Sequence, residues 1–263
     1  MADISPIVID LVKGVGTDII KQSADTLLKK EFSWKGLFSK KEPKILLLGS
    51  TGVGKTQFIN SFDDKLKDIP VKDRTIIAEE VSRQVDEHIT VVFNDTAGDN
   101  TSPQYKTKRF EQLVKTFQDP GYIGIVNLTS YGYHENPYES KSNIFDTNGI
   151  LKADFLERKR AYELSQLEEW LPHLQISKAR FIITLINKAD IWANRHQEVV
   201  DYYAQGDYAK KFKEYPFLQP HYVMPYCSLI ELFYGISNSG MYGTVAQKTH
   251  KNTLIYHLSK LVK

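Results

Sequence analysis

The fold of this 263-residue chain is decided by one stretch, Gly49-Ser50-Thr51-Gly52-Val53-Gly54-Lys55-Thr56. It matches the pattern G-x-x-x-x-G-K-[ST] at every fixed position, and in that pattern successive backbone N–H groups of a glycine-rich turn surround a phosphate. The apolar run at residues 45–48 predicts a strand buried on both faces. A helix is expected to begin near Lys55. The order strand, turn, helix is the context that a phosphate loop requires.

The residue types in this stretch suggest separate roles. Lys55 is expected to contact the β- and γ-phosphates, and the Thr56 hydroxyl is expected to ligate Mg²⁺. Glycine lets the backbone turn and approach phosphate without a Cβ in the way. The alternative is an ordinary glycine-rich turn with a surface lysine. We assign nucleotide contacts to Gly49, Ser50, Thr51, Gly52, Val53, Gly54, Lys55, Thr56 and Gln57.

Two further positions are candidates for sensing the metal and the γ-phosphate. Residues 89–94 read as a strand, and Asp95-Thr96-Ala97-Gly98 follows it directly. Asp95 is suited to hold a water on Mg²⁺, and the Gly98 N–H is suited to reach a γ-phosphate. Aspartate and glycine also end strands in ordinary turns, which is the competing interpretation.

Thr75 lies in the polar stretch between the first predicted helix and the second predicted strand. A mobile loop at this place is able to bring the Thr75 hydroxyl onto Mg²⁺ and its N–H onto the γ-phosphate. An ordinary loop threonine is the alternative.

A base-recognition element follows another predicted strand, at Asn187-Lys188-Ala189-Asp190. Guanine offers two adjacent N–H donors, which the Asp190 carboxylate can accept together, whereas adenine would leave that charge unpaired. Asn187 is expected to support the base and tie the loops together, and the Lys188 stem can cover the purine face. Taken alone, Asp190 would be read as a helix N-cap. The motif is third in an ordered series at strand ends, where ligands bind in open sheets.

The ordered motifs GSTGVGKT, RTI, DTAG and NKAD resemble the Ras-like GTPases of the translation-factor-related P-loop class, over residues 44–263. The resemblance implies a nucleotide-controlled switch that binds Mg²⁺ with GTP or GDP. It also implies a fifth element after the last strand, for which only Ser228 of Cys227-Ser228-Leu229 is a plausible equivalent. The family usually carries a glutamine where this chain has Asp99, so hydrolysis is expected to be slow. The resemblance makes Lys55, Thr75 and Asp99 the candidate catalytic residues, and Thr56, Thr75 and Asp95 the candidate metal ligands.

The expected architecture is α/β, a mostly parallel six-stranded sheet flanked by helices. We divide the chain into an amphipathic helical extension with a basic linker at 1–43 and a G domain at 44–263. The predicted strands are 45–48, 76–86, 88–94, 122–128, 181–186 and 222–226. The predicted helices that follow the one beginning near Lys55 are 104–118, 155–174, 194–213 and 247–262.

The spacing between Asp95 and Asn187 is longer than two helices, two strands and short loops need. The excess falls at about residues 130–154, which we interpret as an inserted loop forming a partner or dimer surface, with a disordered insert as the alternative. His134 is expected at the surface. The N-terminal helices either pack as extra core or form a docking element for a partner or a membrane surface.

Composition narrows the setting of the protein. A formal net charge of +2 gives no global field toward nucleic acid, so none is expected as a partner. The single cysteine, Cys227, excludes an internal disulfide and suits a reducing cytoplasm. No signal peptide and no apolar run long enough to span a bilayer are evident, so we expect a cytoplasmic protein whose membrane contact, if any, is peripheral.

Four functions remain open at this point. The first is a slow GTPase switch acting with an effector, an activator or a second copy of itself. The second is a guanine-nucleotide-binding scaffold that does not hydrolyse. The third is an ATPase in which N-K-A-D occurs by chance, and the fourth is a reduced form of a membrane-remodelling GTPase.

Overall fold

A computed structural model describes residues 42–71, 79–86, 89–95, 111, 114–119, 121–136, 139–177, 179–215, 220–231, 233–235 and 242–262. Almost all of the predicted N-terminal extension at 1–43 therefore lies outside the described residues. So do Thr75, Gly98 and Asp99.

The elements follow the predicted alternation of strands and helices. In chain order they are β1 (Lys44–Gly49), α1 (Lys55–Asn60), β2 (Glu79–Asp86), β3 (Ile89–Asp95), β4 (Tyr122–Thr129), α2 (Lys141–Ile144), α3 (Ala153–Trp170), a 3-10 helix (Leu171–Ile176), β5 (Ile182–Ile186), α4 (Ala189–Trp192), a 3-10 helix (Ala193–Arg195), α5 (His196–Ala204), α6 (Asp207–Lys213), β6 (His221–Pro225) and α7 (Thr244–Leu261). Residues 114–118 are also helical, as predicted for part of 104–118.

The six strands form one sheet in the order β2-β3-β1-β4-β5-β6. Only the β2–β3 pair is antiparallel, and the four other pairs are parallel. The predicted architecture, a mostly parallel six-stranded sheet flanked by helices, is confirmed.

The strand register brings the carboxyl ends of the parallel strands to one edge of the sheet. Leu47 of β1 pairs with Asp95, the last residue of β3, and Gly49 pairs with Leu128 of β4. On the other side of β4, Thr129 pairs with Ile186. The loops that follow β1, β4, β5 and β6 therefore start side by side, at the edge where open α/β sheets bind ligands.

Both faces of the sheet are covered, because neighbouring residues of β1 are buried on opposite sides. Ile45 and Leu47 belong to a core cluster that includes Leu254 and Leu258 of α7. Leu46, which points the other way, is also buried. A strand of uninterrupted aliphatic residues is what a doubly covered parallel strand requires.

The predicted single helix at 194–213 is wrong, because the structure has two helices there. The amides of Gln205 and Gly206 both donate to the carbonyl of Asp201, which ends α5, and Gly206 in an extended conformation precedes α6. The first residue of α6 is Asp207, whose negative charge suits a helix N-terminus. The apolar periodicity continues through the interruption between the two helices. For that reason the periodicity alone does not reveal where the first helix ends.

None of the helices in the described part of the chain combines the length and the apolarity that crossing a membrane requires.

Candidate nucleotide site

The turn after β1 has the backbone shape of an anion-binding loop. Gly49, Gly52 and Gly54 all adopt positive φ angles, of 139°, 84° and 92°. Neighbouring groups also approach all three of these glycines closely. A Cβ at Gly49 would lie 2.4 Å from the carbonyl oxygen of Leu128. A Cβ at Gly52 would lie 2.2 Å from the carbonyl oxygen of Glu135, and one at Gly54 would lie 2.7 Å from Nδ2 of Asn187. Backbone conformation and space therefore both require glycine at all three positions.

The Lys55 ammonium lies inside this loop. Its Nζ donates to the carbonyl oxygens of Gly49 at 2.9 Å and Ser50 at 3.3 Å, and the residue is only 7% exposed. A largely buried cation beside a glycine turn fits the phosphates of a nucleotide, since it supplies a fixed positive charge next to backbone N–H groups.

The side chains of Thr51 and Gln57 are placed differently within the motif. The Thr51 hydroxyl is buried and has no hydrogen-bond partner among the described residues. The Gln57 side chain bonds the chain that follows α1, donating to the Lys67 carbonyl at 3.3 Å and accepting from the Val71 amide at 3.0 Å. The predicted nucleotide contact of Gln57 is therefore left to its backbone N–H, which the first turn of a helix does not use.

The predicted metal ligands are described only in part. Thr56 follows Lys55 in α1, and the backbone of Asp95 ends β3 beside β1. The side chain of Asp95 lies outside the described residues, as do Thr75, Gly98 and Asp99. In the described ranges, no group of three or more His, Cys, Asp and Glu side chains is placed to hold a metal ion. Thr56, Asp95 and Thr75 stay the predicted metal ligands.

Asn187 joins the base-recognition loop to two of its neighbours. Its Nδ2 donates to the Val53 carbonyl at 2.8 Å, and its Oδ1 accepts from both the amide and the hydroxyl of Ser228, each at 3.0 Å. The structure thus brings together the predicted phosphate loop, the N-K-A-D loop and the Ser228 loop. One buried amide side chain holds all three.

The Asp190 carboxylate is buried, with 1% of the residue exposed, and it has weak partners. Its Oδ1 accepts from the Cys227 thiol and its Oδ2 from the Glu231 amide, both at 3.3 Å. Burial raises the pKa of the Asp190 carboxyl, while the bonds to Cys227 and Glu231 act in the opposite direction. A carboxylate accepts about four hydrogen bonds and a thiol is a weak donor, so this group fits a ligand that brings two N–H donors.

Lys188 has an ion-pair partner that the sequence analysis missed. Its Nζ lies 2.6 Å from Oε2 of Glu135, a residue of the loop after β4. The amide of Glu135 also donates to the Gly52 carbonyl at 3.1 Å. No motif marks Glu135, because it meets the two loops only through the pairing of distant strands.

A second missed residue, Glu163 of α3, organises the start of that loop. It accepts from the Ser130 amide at 2.9 Å and from the Tyr203 hydroxyl, and His134 Nε2 lies 2.7 Å from its Oε1. Glu163 lies seven positions after Leu156 and four before Leu167, both buried. Glu163 is therefore an acidic residue within the apolar stripe of a predicted amphipathic helix. That position is the feature of the sequence that could have identified it as a buried polar residue.

The expectation that His134 lies at the surface is wrong, because only 2% of the residue is exposed and it pairs with buried Glu163. Tyr131 and Tyr133 are buried as well. These aromatic side chains pack inside the domain, and the partner or dimer surface expected of the insertion at 130–154 stays a prediction.

The known proteins that resemble this chain do so only distantly. No family model and no curated protein matches the chain. It is similar to two solved structures of the GTPase Era, one from Aquifex aeolicus bound to GDP·AlF4⁻ at 13% identity, and one in complex with MgGDPNP and nucleotides 1506–1542 of 16S ribosomal RNA at 14% identity. Each has a TM-score of 0.48, and each match covers 85% of this chain but only 57% of the other.

The strand order, the single antiparallel edge pair and the glycine loop between β1 and α1 agree with the Ras-like G-domain fold that the sequence motifs predict.

Proposed function

We propose that this protein binds guanine nucleotides with Mg²⁺ and hydrolyses GTP slowly to GDP and phosphate, acting as a nucleotide-controlled switch. The observation that carries the proposal is the Asn187 side chain. It bonds Val53 of the phosphate loop and Ser228 while belonging to the same four-residue motif as Asp190. The loop suited to phosphate and the carboxylate suited to guanine are therefore parts of one connected site.

The residues of the candidate site have separate roles in the proposed function. The N–H groups of the glycine loop and the Lys55 ammonium hold the β- and γ-phosphates, and Lys55 stabilises the negative charge that develops as the bond to the leaving oxygen breaks. The Asp190 carboxylate accepts the two N–H groups of guanine. Mg²⁺, when bound, would add positive charge at the phosphates, with Thr56, Thr75 and Asp95 as the residues to hold it. Asp99 remains the predicted neighbour of the attacking water.

The first test is equilibrium binding of fluorescent GDP and fluorescent ADP to the purified protein in the presence of Mg²⁺. We expect GDP to bind at least about a hundredfold more tightly, because adenine leaves the buried Asp190 carboxylate without its donors. In Asp190→Ala this preference should largely disappear while weak binding of either nucleotide remains. Equal affinity for GDP and ADP in the unmodified protein would reject the guanine assignment.

The second test is GTP turnover per molecule, measured across a wide range of protein concentration. Turnover that rises with concentration supports completion of the catalytic site by a second copy. Slow turnover that does not depend on concentration supports a switch that awaits an activator. Tight GDP binding with no turnover at any concentration would favour the non-hydrolysing scaffold instead.

A further inference from the structure

The loop after β4 reaches over to the phosphate loop at one point. The Glu135 amide donates to the Gly52 carbonyl, and the carbonyl oxygen of Glu135 occupies the space where a Gly52 Cβ would stand. The two backbones are therefore in direct contact, and the shape of the phosphate loop at Gly52 depends on where Glu135 lies. We call residues Tyr133–Asn136 the clasp.

The same clasp holds the base-recognition loop through a charge pair. The Glu135 carboxylate lies 2.6 Å from the Lys188 ammonium, and the two side chains are 33% and 9% exposed. Lys188 itself adopts a left-handed backbone conformation, with φ of 60°, and its Nζ lies 5.2 Å from the centre of the Phe233 ring. The backbone of Lys188 is held in this conformation and its ammonium is paired with Glu135. The aliphatic part of the side chain between them therefore has few orientations available.

The clasp also contacts the segment after β6. Tyr133 packs edge-on against Phe233 with ring centres 5.3 Å apart. The amide of Asn136 donates to the Tyr234 hydroxyl at 2.6 Å, and that hydroxyl lies 3.1 Å from the Asn136 carbonyl oxygen. Three residues of the clasp, Tyr133, Glu135 and Asn136, thus contact the phosphate loop, the Lys188 loop and the 233–234 segment.

The charges around the clasp make the Glu135–Lys188 pair important. Burial raises the pKa of Glu231, and the neighbouring carboxylates of Glu135 and Asp190 raise it further, whereas Lys188 lowers it. Lys188 therefore interacts with the carboxylates of Glu135, Asp190 and Glu231. Without Lys188 beside it, Glu135 would be repelled by the other two carboxylates, so separating the Glu135–Lys188 pair is electrostatically unfavourable. We call the arrangement with this pair formed the closed clasp.

We propose that the clasp sets the lifetime of the bound guanine nucleotide, and that Glu135 is the positioning residue through which it acts. This inference rests on the function proposed above. In the closed clasp Glu135 holds the Lys188 stem against the purine face and keeps the Gly52 turn in shape. Release of the nucleotide requires the Glu135–Lys188 pair to separate, so whatever opens the clasp accelerates exchange.

The test is the release rate of fluorescent GDP, measured by stopped flow after addition of excess unlabelled GDP. We expect Glu135→Gln to release nucleotide about tenfold faster, the equivalent of losing one charge-assisted hydrogen bond, with association unchanged within about twofold. Tyr234→Phe removes the hydroxyl that bonds Asn136 and should accelerate release by about threefold.

The matched control is Glu139→Gln. Glu139 belongs to the same connection, and its carboxylate forms a 2.6 Å ion pair with Lys159 of α3 rather than with a residue of the nucleotide loops. Its loss should leave the release rate unchanged, and the thermal midpoints of the nucleotide-free variants should agree between Glu139→Gln and Glu135→Gln.

The outcomes separate the two proposals. Failure of the unmodified protein to bind fluorescent GDP would reject the proposed function. Normal binding with an unchanged release rate in Glu135→Gln would reject the clasp alone, as would equal acceleration by Glu139→Gln. If Glu135→Gln does not fold, Tyr234→Phe decides: a release rate like that of the unmodified protein overturns the proposal, and a faster one supports it.

Discussion

The two ends of the candidate nucleotide site are built in different ways. At the phosphate end, residues 49–56, the shape comes from the backbone, with three glycines at positive φ and a Thr51 hydroxyl that has no hydrogen-bond partner among the described residues. At the base end, residues 187–190 with 227–231, the shape comes from side chains, because Asn187, Asp190 and Ser228 bond one another's loops. One end requires the absence of side chains, and the other depends on them.

This difference follows from the two ligand groups. A phosphate is a compact anion that several backbone N–H groups can surround at once, so the chain must come close. A purine edge presents donors and acceptors in a fixed plane, so it is matched by side chains whose positions are set by their own hydrogen bonds. Substitutions at the two ends should therefore fail for different reasons.

Gly52→Ala should have the largest effect. The new methyl group would stand 2.2 Å from the Glu135 carbonyl oxygen, at a φ of 84° that alanine avoids. We expect the affinity for GDP to fall by at least about a hundredfold, because the loop must move to relieve the clash. Isothermal titration of GDP measures the loss.

The control is Gly149→Ala, where φ is 76° and nothing lies within 4 Å of the new methyl group. Gly149→Ala introduces backbone strain without a steric clash. It should lower the free energy of unfolding by about 1–2 kcal/mol without changing GDP affinity. Similar GDP affinities in the two variants would mean that close approach at the phosphate end is unimportant.

Asn187→Ala should have the next largest effect. It removes the bond to Val53 and leaves the amide and hydroxyl of Ser228 without their acceptor. We expect a loss of about 2–3 kcal/mol of stability and a fall of at least about thirtyfold in GDP affinity. Chemical denaturation and GDP titration measure the two effects.

Ser228→Ala serves as the comparison, since it removes one hydroxyl and keeps the Asn187–Val53 bond. It should cost about 1 kcal/mol or less. If Ser228→Ala weakens binding as much as Asn187→Ala does, the connection through Val53 contributes nothing.

Glu231→Gln should have a smaller effect, and one of the opposite sign. The raised pKa means that the folded protein binds this proton more tightly than the unfolded chain does. The resulting stability is fully present below the ordinary pKa of 4.5 and is lost as pH rises through the folded value. At pH 7 the ionised Glu231 therefore disfavours the fold, and the neutral variant should melt at a higher temperature.

The advantage of Glu231→Gln should vanish near pH 4, and Glu157→Gln, at an exposed position of α3, serves as the control. Thermal unfolding at pH 4 and pH 7 measures this. A lower melting temperature for Glu231→Gln at pH 7 would contradict this prediction. It would show that the attraction between Glu231 and Lys188 stabilises the fold by more than burial of the carboxylate destabilises it.

Thr51→Val should have the smallest effect. The valine side chain has nearly the same shape, and it removes a buried hydroxyl that lacks a partner among the described residues. We expect GDP affinity to stay the same and stability to stay level or rise by about 1 kcal/mol. A marked fall in affinity would instead identify the hydroxyl as a nucleotide contact, and the phosphate end would then depend on a side chain after all.

The same contrast explains what could be predicted from the sequence. The phosphate loop is local: a buried strand, a turn of glycines and a helix start all lie within 16 residues, Ile45 to Asn60, so their types and spacing are enough. The N-K-A-D motif is equally short. The prediction that Asn187 ties loops together agrees with its bonds to Val53 and Ser228.

What could not be predicted depends on distant parts of the chain meeting. Glu135 lies 53 positions from Lys188, in a stretch without periodicity, so nothing local marks it. A polar loop usually lies at the surface, and the sequence therefore predicts an exposed His134. In the structure, the His134 side chain is buried and pairs with the buried Glu163 carboxylate. The roles assigned to Thr75, Gly98 and Asp99, and to the side chain of Asp95, stay predictions.

The bond between Asn187 and Val53 joins residues 134 positions apart, and so it has a consequence for how the chain folds. Contacts between distant residues form late, because the entropy of closing the intervening chain must be overcome first. The binding site is complete only when β1, β4, β5 and β6 have all assembled. A newly made chain should therefore gain its secondary structure well before it can capture a nucleotide, and the captured nucleotide then favours the finished fold by mass action.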